Sequence, residues 1–132
     1  MSTLITRIDD LRALYGPARE RSVKKELPQL DAHAVRFIGL APLVVLASRG
    51  PGGDMDASPR GGDPGFVKVV DAGTLLIPDA PGNNRLDTLE NIIQTGSIGL
   101  LFLVPGVDET LRVNGRAVLS TDLAERERCA DA

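Results

Sequence analysis

The chain has 132 residues, a formal net charge of −3, 42% hydrophobic and 25% charged residues, the balance of one folded domain. The acidic excess excludes a general nucleic-acid binder, which needs a basic face to displace counterions. No apolar run approaches the ~20 residues that cross a bilayer, and no apolar signal core follows Met1, so a cytoplasmic protein is expected without nucleic-acid or membrane partners.

Leu4, Ile5, Ile8, Leu11 and Leu14 recur at helical spacing, and Gly16-Pro17 ends that helix. Residues 18–27 are charged and read as a second short helix or a solvated linker. Asp31 is a suitable N-cap for a helix over residues 32–38, closed by Gly39. The pattern then changes to short apolar runs. Residues 43–47 suit a buried strand, and RGPGG at 49–53 a tight turn. Residues 54–58 pair back as a second strand. Residues 66–70 and 74–77, linked by Asp71-Ala72-Gly73, form a hairpin. Residues 78–84 are a loop, and residues 85–94 a helix with Gly96 beyond its end. Residues 98–104 and 110–119 supply the last two strands. A charged stretch follows Asp122. The expected organisation is a helical extension over 1–40, a barrel over 41–122 and a charged tail over 123–132. The fold class is mainly β with helical additions: six or more mostly antiparallel strands in an antiparallel barrel.

Only one Cys (Cys129) and one His (His33) are present. They provide neither a disulfide framework nor the usual set of zinc ligands, so no metal site is expected. A serine-based triad would need His33, which falls in a predicted helix without a nucleophile elbow; a helix-surface residue is the plainer reading. Aromatic residues are 3% of the chain and Trp is absent, so the core must come from Leu, Val, Ile and Ala. A dimer interface would bury more apolar surface.

Three clusters have residue types suited to ligand chemistry. Asp56 to Gly65 is a strand running into Gly and Pro. Its backbone can approach a flat ligand closely, with Ser58 adding a hydroxyl and Arg60 a donor fork. A surface loop whose glycines turn the chain is the bland alternative. Pro81 to Asn91 lies at a helix start, where first-turn N–H groups and the dipole favour an anion. Asn83 and Asn84 can cap the helix or donate, Arg85 can grip a phosphate with two bonds, and Thr88 adds a hydroxyl. Ordinary capping with a surface ion pair explains the same residues. In Asp108 to Arg116, Thr110, Arg112 and Asn114 share one strand face by period two. That face suits a cleft, a dimer seam or plain solvent.

The stretches DASPRGGDPGFV (56–67), IPDAPGNNRLDTLENI (77–92) and GLLFLVPGVDETLRVNG (99–115) occur in order. With FIGLAPLVVLAS (37–48), they make the chain resemble flavin mononucleotide (FMN) binding proteins related to pyridoxamine 5'-phosphate oxidase. It is similar in particular to a bacterial subgroup with SPRGD and GNNRLDTL motifs, over residues 5 to 120. The resemblance implies a split β-barrel homodimer with FMN at the subunit interface. It implies that Ser58, Pro59, Arg60 and Gly61 line the flavin ring, and that Asn83, Asn84, Arg85 and Thr88 hold the phosphate. It implies flavin contact at Thr110, by spacing from Phe102. The activity implied is an FMN-dependent oxidoreductase with a small-molecule redox substrate. Related split barrels also act as non-catalytic modules that bind or sense flavin or deazaflavin. The resemblance does not carry vitamin B6 oxidation with it: the residues of the true oxidases that bind pyridoxal phosphate find no match here, and they lie largely in the region beyond this sequence. Members of the subgroup continue for several tens of residues past the ERERCADA end, so either a fragment or a shortened relative is expected.

Overall fold

The computed structural model of the chain describes residues 4–15, 28–79 and 86–130. The expected helix or linker over 18–27 and most of the loop over 78–84 lie outside them. The described elements are α1 (Ile8–Tyr15), α2 (Ala32–Leu40), β1 (Leu43–Arg49), β2 (Met55–Gly61), β3 (Lys68–Asp71) and β4 (Thr74–Leu76). They continue with α3 (Asp87–Thr95), β5 (Ser97–Leu103), β6 (Thr110–Arg116) and α4 (Leu123–Ala130). The protein is mainly β, and every strand pairing is antiparallel. One sheet has four strands in the order β2-β1-β5-β6, and β3 and β4 form a separate hairpin. Among the described residues these two sheets do not join into a closed barrel.

Strand alternation gives the larger sheet two different faces. Val44 and Leu46 of β1 lie in register with Phe102 and Leu100 of β5, and all four are buried. They form the core with Phe37, Ile38 and Ala41 from α2 and its end, and with Phe66 and Val67 before β3. Val69 and Leu75 of the hairpin pack against that cluster. The opposite face presents Leu43, Val45 and Ala47 beside Leu101 and Leu103, all only partly buried.

Asp31 caps α2 as expected, accepting the Ala34 N–H at 2.8 Å. Gly39 does not close this helix, which runs through Leu40 to an extended Ala41 with φ −81 and ψ 123. Pro42 explains the difference, since the residue before a proline is driven out of the helical region. Gly65 is the glycine the packing requires, since a Cβ on it would stand 2.9 Å from the Gly39 carbonyl oxygen, whereas a Cβ on Gly39 would meet nothing within 4 Å. The second strand also differs from expectation. It continues through Ser58, Pro59 and Arg60 to Gly61, paired in register with Leu43 to Leu46. Pro59 is tolerated because β2 is an outermost strand of its sheet.

Candidate functional site

The extended conformation of β2 divides its residues between two sides. Asp56, Ser58 and Arg60 are half-buried and face the core side, opposite Ser48, Leu46 and Val44 of β1. Pro59 and Gly61 face the other way and are exposed. The four ring-lining candidates are therefore split between the two sides of the strand, Ser58 and Arg60 on one and Pro59 and Gly61 on the other. The Arg60 side chain is 9% exposed. Its Nη1 donates to Oδ1 of Asp79, just past β4, while its Nε is buried with no hydrogen-bond partner. A buried donor left unpaired costs about 1–3 kcal/mol, so this N–H is poised for an acceptor.

Four residues back along β2, Asp56 accepts a 2.8 Å hydrogen bond from the Thr88 hydroxyl at the start of α3. Thr88 is 2% exposed. One turn further on, Asn91 Nδ2 donates to the buried Ser48 hydroxyl at 3.0 Å. At the helix end, the Thr95 hydroxyl reaches the Arg49 carbonyl at 2.9 Å. These bonds lay α3 across β2 and β1. Gly96 then ends it in the left-handed conformation, with φ 71.

Two polar tethers thus stand on one side of β2, Arg60 to Asp79 and Asp56 to Thr88, with Ser58 between them. Four residues of strand separate them, about 13 Å at ~3.3 Å per residue. Asp79 and Thr88 flank the segment that contains Asn83, Asn84 and Arg85, which lie outside the described residues. The structure therefore ties the first cluster to Asp79, just before the second cluster, and to Thr88 within it. Asp56, Asp79, Ser48 and Asn91 do this joining, and the sequence reading gave them no role. The one signal was the placement of Asp56 in period-two register with Ser58 and Arg60.

Thr110 is not joined to them. It starts β6, pairs with Leu103 and lies on the other face of the sheet. β1 and β5 separate it from β2, a lateral distance of roughly 14 Å at ~4.8 Å per strand. His33 is exposed and forms a 2.8 Å contact with Glu109 across the molecule's surface. An open groove of about 380 Å³ lies between Ala47, Met55, Gly99 and Asn114. It sits on the face away from Ser58, at the end of the strands where Ser48, which also lines it, meets Asn91. Among the described residues no three metal-ligating side chains cluster, and no helix is long and apolar enough to cross a membrane.

The described residues define a mainly-β domain of antiparallel strands, with α2 and α3 packed on the core face of its larger sheet and a polar strand row beneath a helix start. The family model described as pyridoxamine 5'-phosphate oxidase matches residues 30–132, and the chain belongs to that family. The family has the split-barrel fold and typically binds flavin. No curated protein and no solved structure matches the chain. The residues present suit a flavin: a buried guanidinium N–H without an acceptor and a neighbouring hydroxyl on one side of a strand.

Proposed function

We propose that the protein binds FMN as a homodimer and serves as an FMN-dependent oxidoreductase for a small-molecule redox substrate, in the cytoplasm. The observation that carries this reading is the pair of tethers on β2. They support a common site for the Ser58–Gly61 strand and the Asn83–Arg85 segment, two motifs that are distant in sequence. In this reading Ser58 and Arg60 meet the ring with side chains, while Pro59 and Gly61 line it through the backbone. Asn83, Asn84 and Arg85 hold the phosphate. Thr88 acts from behind, by fixing the helix start through Asp56.

The phosphate carries roughly −1.5 to −2 charge near neutral pH. The first turn of α3 already contains Asp87 and Glu90, which answer the helix's positive end themselves. Arg85 is therefore the decisive charge. When bound, the flavin supplies hydride-transfer chemistry, and the chain need only position and tune it. Thr110 stands across β1 and β5 from β2 and on the other face of the sheet; in this reading it meets the flavin across a dimer seam, from the second protomer. The partly buried row Leu43, Val45, Leu101 and Leu103 on the Thr110 side supports that seam.

The test is a titration of the purified protein with FMN, followed in the visible absorbance. Micromolar or tighter binding is expected. The Arg85→Ala variant should lose about 1–3 kcal/mol of FMN affinity, the scale of charge-assisted hydrogen bonds, and none for riboflavin. Absence of FMN binding sinks the reading. Binding without reduction by any nicotinamide or other donor from a broad panel would leave a flavin-binding module in place of an enzyme.

A further inference from the structure

The face of the larger sheet away from the core is organised in rows, because paired strands set residue opposite residue. One row crosses all four strands with short side chains only: Ala57, Ala47, Gly99 and Asn114. On one side of it stand Val45 and Leu101, and on the other Met55 and Arg49. The short row is therefore a trough, and the groove of about 380 Å³ takes in its Ala47, Gly99 and Asn114. Gly99 keeps the floor low, since a Cβ there would stand 3.1 Å from Oδ1 of Asn114. Small-molecule clefts have volumes of roughly 300–1,000 Å³, so the groove has the capacity of one.

The charge on this face is one-sided. Its paired positions hold Arg49, Arg112 and Arg116 and no Asp or Glu, in a chain whose net charge is −3. Arg116 is turned to the Thr95 carbonyl at the end of α3. The ion pairs among the described residues are His33–Glu109 and Arg60–Asp79, so Arg49 and Arg112 have no carboxylate partner there. Arg49 is the one charged residue that lines the groove among the described residues, which matches a single negative charge. Its guanidinium fork suits a carboxylate, which it can hold by two bonds. Asn114 brings an amide that can donate beside it. Ala47 and Gly99 offer a flat bed, and the Met55 thioether is a good neighbour for the edge of an aromatic ring.

We infer that this trough is a binding site for a small aromatic monocarboxylate, with its ring on Ala47 and Gly99 and its carboxylate on Arg49. Arg112, two residues from Asn114 on the same face, adds a second positive charge nearby. The site stands on the opposite face of the sheet from Ser58 and Arg60, and it does not depend on the FMN reading.

The probes are cinnamate and its neutral amide, cinnamamide. The isotope-labelled full chain is titrated with each at low ionic strength and followed by amide NMR. The largest shifts with cinnamate should fall at Ala47, Gly99 and the Asn114 side-chain amide. Cinnamamide should bind roughly 5- to 10-fold more weakly, the scale of a charge-assisted bond at an exposed site. Arg49→Gln, at an exposed position, should bring the two probes to equal affinity. Ala47→Leu fills the trough and should abolish binding of both, with its own spectrum showing that it is folded. Saturating FMN should leave the cinnamate affinity unchanged. Absence of cinnamate binding, shifts that fall outside the trough, or an unchanged preference for cinnamate in Arg49→Gln overturns the inference. So does undiminished binding in a folded Ala47→Leu protein. Displacement of cinnamate by FMN overturns a separate site and makes the trough part of the flavin's. Cinnamate bound in the trough of a protein that ignores FMN supports the inference and sinks the FMN reading alone.

Discussion

Thr88 shows what a single hydroxyl does at this site. It is almost fully buried, and its hydrogen bond to Asp56 fixes the start of α3 on β2. Thr88→Val keeps the shape and removes the donor, leaving the half-buried Asp56 carboxylate with one partner fewer. Stability should fall by about 1–3 kcal/mol, read as a lower urea midpoint with an unchanged slope, and Thr88→Ser should restore most of it. The types of residue in the site were legible in the sequence, in Ser58, Arg60 and Thr88. Their partners were not. That Asp56 faces Thr88 and that Asp79 faces Arg60 depends on strand alternation and on where the chain returns after β4. Composition cannot show either. A Thr in a phosphate-like motif and a Thr that braces a helix look the same until the register is known.

At the scale of elements, all six strands were legible, because short apolar runs separated by Gly and Pro turns are a local signal. The ends were less so. β2 was read as stopping at Ser58, since Ser-Pro-Arg-Gly looks like loop chemistry; it continues because an outer strand tolerates proline. Gly39 reads as a helix end, whereas Pro42 sets that end; Gly65 is the glycine that the close approach of the two segments requires. The close approach makes a prediction about the connection between β2 and β3. Gly65 has φ +80, and a Cβ there would meet the Gly39 carbonyl at 2.9 Å. Gly65→Ala therefore combines a left-handed backbone, about 1–2 kcal/mol for an L residue, with a backbone clash. Its thermal midpoint should drop by more than that of Gly52→Ala, where a Cβ meets nothing within 4 Å.

The molecule as a whole presents a sheet with one face filled by the core and the other partly open. The order β2-β1-β5-β6 was not legible, because periodicity carries no information on which strands are neighbours. The open face yields a test of assembly. Leu101→Asp places a charge in the middle of the proposed seam, at a position outside the buried core. Sedimentation should show a shift from dimer to monomer, with circular dichroism unchanged; an unaltered dimer would move the seam elsewhere. Pro59 has a further consequence at this scale. An outermost strand normally exposes a row of backbone donors and acceptors, a template on which stray extended chains can zip and grow into aggregates. Pro59 brings no N–H to β2, so any such intruder finds the ladder broken at its middle. The strand that the proposed ligand would use is thereby guarded against its own kind.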